Sequence, residues 1–157
     1  AYRLQVHGHD LLYFPFPSLD DYARDPEGWF GVALLAPWAN RLDELAFHAN
    51  GTRYPFDMQL GNVRAAAALH GFLATAAWEV VECGAGESAA WLTCRLDVYR
   101  QPRWMKQWPF AHTIEMTHRL AGGELEVITR ITNHAAEPMP VAIGFHPWFQ
   151  LTESPRH

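Results

Sequence analysis

His112-Thr113-Ile114-Glu115-Met116-Thr117-His118-Arg119-Leu120, Ala121-Gly122-Gly123, Glu124-Leu125-Glu126-Val127-Ile128-Thr129-Arg130-Ile131-Thr132 is the stretch on which the fold turns. Ile114, Met116, His118 and Leu120 alternate with polar neighbours, and so do Leu125, Val127, Thr129 and Ile131. Successive strand side chains point to opposite faces, so a period of two predicts two half-buried antiparallel strands. Ala121-Gly122-Gly123 supplies the turn between them.

The same pattern repeats on either side. Glu44 to Ala49, Asn50-Gly51 and Thr52 to Phe56 read as a hairpin, because Asn-Gly accepts the positive φ angles of a tight turn. Thr75 to Cys83 and Ala89 to Val98 form another pair around Gly84-Ala85-Gly86-Glu87-Ser88. Met139 to Phe149 begins a further strand after the turn from Asn133 to Pro138. Helical signal is thin: Ser18 to Ala23 reads as a capped turn, and Val63 to Leu69 is alanine-rich but short. No repeat or linker interrupts residues 1–157, which predicts one all-β domain or a piece of one.

Net charge is −5 and the basic residues form no cluster, which disfavours a nucleic-acid partner. No apolar run approaches the ~20 residues of a spanning helix, and the opening Ala1 to Val6 lacks the apolar core of a secretory signal. Cys83 and Cys94 fall several pairs apart in their hairpin, too far for a bridge. They read as buried thiols of a cytoplasmic protein.

Three segments break the strand pattern: Pro37 to Leu42, Leu69 to Phe72 and Gly144 to Phe149. Each sets a polar or titratable side chain among aromatics and beside Gly or Pro, as an apolar cleft with a few fixed polar groups requires. Taken singly, Arg41 reads as a surface arginine and His70 as a turn histidine. His146 is sharper. Pro147 offers no amide hydrogen, so the strand should break there and leave the imidazole at its end. Trp38, Trp108 and Trp148 read as packing residues before ligand platforms.

In order along the chain stand Asn40-Arg41-Leu42 preceded by Pro37, Leu69-His70-Gly71, Pro109-Phe110 leading a strand, and Asn133 through Pro138-Met139-Pro140 to Gly144-Phe145-His146-Pro147-Trp148-Phe149. This set resembles the aldose 1-epimerase (galactose mutarotase) family, the last motif most specifically. The resemblance implies a galactose-mutarotase-like antiparallel β-sandwich, the supersandwich, and interconversion of the α and β anomers of an aldose. In that chemistry a base deprotonates the anomeric hydroxyl, an acid protonates the ring oxygen, and the opened aldehyde recloses on either face. The resemblance gives His146 the donor role at the ring oxygen and His70 an assisting one. Imidazole, with an ordinary pKa of about 6.5, suits both. Arg41 would donate to sugar hydroxyls as a planar fork. Trp148 would line the sugar site. Asn40 counts with the substrate-binding set, although it reads more as the holder of its loop. No metal or organic cofactor is implied.

The family's domain is about twice as long, with a glutamate base and a sugar-binding aspartate beyond the third of the segments above. The resemblance therefore implies an incomplete sandwich, the N-terminal-to-central part, and a poor or inactive enzyme by itself. Glu115 and Glu126 read as ordinary strand positions, not as bases. Exposed sheet edges and core would call for a dimer or a second chain segment. Two alternatives stay open. One is a hexose-6-phosphate 1-epimerase using Arg64 and Arg103 for phosphate, and the other is a non-catalytic sugar-binding module. His7 and His9 would share one face of a strand, but no third ligand stands near them and no metal site is expected.

Overall fold

The computed structural model describes residues 1–24, 30–56, 63–64 and 66–151. Strands dominate and pair antiparallel, and the chain divides into two compact units. One unit comprises Ala1–Asp43, Leu60–Thr75 and Val141–His157, and the other Glu44–Gln59 and Ala76–Pro140.

The second unit holds β4 (Ala46–Ala49), β5 (Thr52–Pro55), β8 (Glu79–Ala85), β9 (Ala89–Asp97), β10 (His112–Ala121) and β11 (Glu124–Asn133). A four-stranded sheet runs in the order β11-β10-β9-β8. Ile114 faces Leu96 and Ile131, and His118 faces Leu92 and Val127, so the alternating set does share one face. Ile114, Met116 and Leu96 are buried, near where β9 runs into a 3-10 turn (Val98–Arg100) and α2 (Pro102–Gln107). Leu120, Leu125 and Val127, at the other end, are 39–48% exposed. The opposite face is mixed: Thr93 and Thr117 hydroxyls meet at 2.8 Å and Glu115 lies 3.8 Å from Arg130, but Trp91 and Ile128 also stand on it, both exposed. Glu126 pairs in register with Arg119, so both carboxylates are ordinary strand residues.

Cys83 lies opposite Leu92 and Cys94 opposite Val80, so they do not bridge. They are not buried, however: Cys83 is exposed and Cys94 half-buried, because this end of the sheet has little over it. Asn50 and Gly51 take φ of 51° and 73°, as the β4–β5 turn requires. The hairpin supplies Phe47, which stacks on Trp108 at 3.9 Å between centroids and on Tyr54 at 4.8 Å. Trp108 is thus a core residue. Helix α2 had no readable signal, since six residues carry too few turns for a period.

The first unit holds β1 (Gln5–Val6), β2 (His9–Asp10), α1 (Leu19–Arg24), β3 (Val32–Leu35), β6 (Val63–Arg64), β7 (Ala67–Ala68) and β12 (Gly144–Pro147). The Ser18 hydroxyl caps α1 by accepting from the Asp21 amide at 3.1 Å. The alanine-rich stretch from Val63, where the helical signal is thin, forms the strand pair β6–β7, because a run this short cannot repay helix nucleation. One expectation fails here. His7 sits in the β1–β2 turn at φ 50°, so His7 and His9 do not share a strand face. The last strand is also shorter than Met139 to Phe149. Only β12 pairs with β3, and it ends at Pro147 as the missing amide demands. Beyond it the chain turns to a second neighbour, the Tyr13 amide donating to the Trp148 carbonyl at 2.8 Å.

Gly71 stands at φ 64°, and a Cβ there would fall on the Ala36 carbonyl. Gly71→Ala should therefore cost about 1–3 kcal/mol for the backbone alone, whereas Gly86→Ala, with open space around it, should stay within about 0.5 kcal/mol. Urea midpoints of the two variants check this.

His112 is buried, its Nδ1–H donating to the Phe110 carbonyl at 2.7 Å, and burial pushes its pKa down, as it does that of His118. A histidine depressed in the fold stabilises fully above its unfolded value of about 6.5, and that stability is lost as pH falls through the folded value. Unfolding free energy should drop between pH 7.5 and pH 5, and His112→Gln should flatten that slope while lowering stability at pH 7.5. Denaturant titrations at both pH values decide it.

Candidate active site

The site is built in the first unit around the segment from Ala36 to Leu42, which hydrogen-bonds on two sides. On one side the Ala39 amide donates to the Ala142 carbonyl at 2.6 Å, and Ala142 returns a bond to Pro37 at 3.3 Å. On the other, the Leu42 amide donates to Ala68 at 3.0 Å, His70 to Asn40 at 3.0 Å and Phe72 to Ala36 at 3.0 Å. The three segments that break the strand pattern are thereby brought side by side. Trp38, only 1% exposed, lies at the centre against Phe72 and is core packing.

Asn40, Arg41, His70, His146 and Trp148 all line one open cavity of about 540 Å³, with Leu35, Ala39, Leu69, Gly144 and Phe145. His146 comes from β12, opposite Ala33 of β3. Its ring meets that of His70 edge-on, 5.7 Å between centroids at 81°, and stacks on Trp148 at 5.5 Å. Trp148 is 38% exposed and packs its other contact on Phe30, so it is a wall of the cavity and not core. Gly144 admits the approach of the two segments, since a Cβ there would lie 2.9 Å from the Ala39 Cβ. Arg41 is exposed and has no ion-pair partner among the described residues. Nδ1 of His146 is buried and makes no hydrogen bond among them. Among the described residues the cavity carries no carboxylate.

A larger depression of about 810 Å³, walled by Tyr2, Phe14 and Phe16, lacks this convergence. Its main charges, Arg3 and Asp10, are spent on each other at 3.1 Å. The side chain of Arg64 lies outside the described residues, and Arg103, on α2 of the other unit, does not line the cavity. No three metal-ligating side chains converge among the described residues. No helix among them is long and apolar enough to cross a membrane.

The sequence profile of the aldose 1-epimerases matches residues 2–157. The chain belongs to the aldose 1-epimerase family. Solved structures agree on the fold. A galactose mutarotase-like protein of Clostridium acetobutylicum is similar at a TM-score of 0.76 and 22% identity, over 89% of this chain and 41% of its own. A protein of Synechocystis sp. PCC 6803 is similar at 0.74 and 27%, over 95% and 46%. A galactose mutarotase-like protein of Lactobacillus casei ATCC 334 is similar at 0.60 and 22%, over 90% and 40%. The chain thus spans less than half the length of each of these. The backbone of this site carries two non-glycine residues in the left-handed region. Asn40 and His70 adopt positive φ, at 63° and 60°, a conformation uncommon outside glycine and most often taken by residues such as these.

Gly144→Ala should lower stability by about 1–3 kcal/mol through overpacking against Ala39. Ala39→Gly removes the opposing methyl, so the double variant should be more stable than the two single losses add up to. A thermal double-mutant cycle reads the coupling.

Proposed function

We propose that this chain carries the acid and sugar-orienting part of an aldose 1-epimerase site, acting on the anomeric centre of a hexose. The observation that carries the reading is the edge-to-face meeting of His70 and His146 in one open cavity beside Arg41. A pyranose fits such a cavity: its C–H face packs on Trp148, and the guanidinium of Arg41 donates as a fork to neighbouring hydroxyls. His146 then gives a proton to the ring oxygen as the ring opens and recovers one as it recloses, with His70 donating to the same oxygen. The base for the anomeric hydroxyl belongs to polypeptide outside the described residues, which is consistent with a cavity wall that holds no carboxylate.

The need for a completing segment has separate support. Val80, Leu92, Leu120, Leu125 and Val127 share one face of the four-stranded sheet and are 37–56% exposed. Apolar residues contiguous on one sheet face are a surface for covering. We infer that a further segment of the same domain type, or a second copy, lies there.

Nuclear magnetic resonance of α- and β-galactose and of glucose tests the activity. The chain alone should broaden the sugar resonances, and Arg41→Ala or His146→Ala should weaken that binding at least about tenfold, the scale of one lost charge-assisted hydrogen bond. A protein containing this chain together with a completing segment should accelerate anomer exchange, and His146→Asn in it should abolish the acceleration. Undiminished exchange in His146→Asn overturns the reading.

A further inference from the structure

We propose that Asn40 is a positioning residue acting through its backbone: it locks His70 as the Nε2–H tautomer, a fixed donor, and leaves proton exchange to His146. The functional half of this rests on the epimerase reading; the tautomer does not.

The geometry is a reciprocal pair of bonds. The Asn40 amide donates to Nδ1 of His70 at 2.9 Å, and the His70 amide donates to the Asn40 carbonyl at 3.0 Å. A backbone N–H can only donate, so Nδ1 must present its lone pair. In a neutral imidazole the one ring proton then resides on Nε2, across the ring from Asn40. A proton added at Nδ1 would face the Asn40 N–H, and the bond would have to open. His70 therefore cannot take a proton while the pair is closed. It donates.

The surrounding backbone holds the pair closed. Asn40, His70 and Gly71 stand at φ 63°, 60° and 64°. They are flanked by the Arg41–Leu69 bridge and by the Leu42 and Phe72 amide bonds. The positive φ of Asn40 turns its amide toward the ring; asparagine tolerates that conformation, glycine adopts it without cost, and a β-branched residue resists it. Its side chain need not take part. His146 has no such constraint. With no hydrogen bond at Nδ1 among the described residues, neither of its tautomers is fixed by a partner. Two imidazoles 5.7 Å apart are thus made chemically unequal by one backbone amide.

Long-range 1H–15N correlation spectra of the ring nitrogens test this on the chain as it stands, with no sugar present. His70 should show one tautomer, with a pyridine-like Nδ1 and a protonated Nε2 near neutral pH, and Asn40→Gly should keep it. Asn40→Val should lose the single-tautomer pattern. On acidification, protonation of His70 should move the Asn40 amide resonance in step. A protonated Nδ1 or an averaged mixture in the wild-type chain overturns the proposal, and so does loss of the pattern in Asn40→Gly, which would place the role in the side chain. If Asn40→Val fails to fold, the wild-type and glycine spectra decide alone. A locked His70 in a protein that joins this chain to its completing segment yet fails to exchange anomers would sink the epimerase reading and leave this one standing.

Discussion

Everything in the site depends on the hydrogen bonds that the segment from Ala36 to Leu42 makes on both its sides. It has no regular secondary structure of its own, yet its amides and carbonyls are matched to Ala142 on one flank and to Ala68, His70 and Phe72 on the other. Buried backbone polar groups must be paired, and this arrangement pairs them across three stretches of chain far apart in sequence. The side chains then follow. Trp38 fills the interior beneath, while Asn40, Arg41, His70 and His146 emerge into the same space.

Glycine and proline set the tolerances of this arrangement. Gly71 permits contact with the Ala36 carbonyl, and Gly144 permits contact with Ala39, at distances no side chain would allow. Pro147 stops β12 one residue after His146, so the ring sits at the end of a strand and Trp148 can turn to face it. A site resting on close backbone approach is rigid, and rigidity is what orientation of a small sugar requires.

The elements of the fold differ in how far they are legible in local pattern. The β10–β11 hairpin and the Asn50-Gly51 turn follow from period and turn chemistry, because both are local. The strand pair at Val63–Ala68 and helix α2 do not, because short elements are decided by what they pack against. Cys83, expected to be buried, is exposed for a related reason: alternation tells which face a residue joins, not whether anything covers that face.

By itself the sequence determined the β10–β11 hairpin and the Asn50-Gly51 turn and singled out five candidate site residues, since turn dipeptides, period two and ordered motifs are properties of neighbouring residues; β8, expected from Thr75, starts only at Glu79 and carries a bulge after Val80. Only the tertiary structure decided that Trp148 walls the cavity while Trp38 and Trp108 are core, and that the histidine rings meet at right angles. Above all it decided that an amide thirty residues away in sequence binds Nδ1 of His70. Such a bond depends on the backbone conformation of two distant residues at once, and no local pattern encodes that.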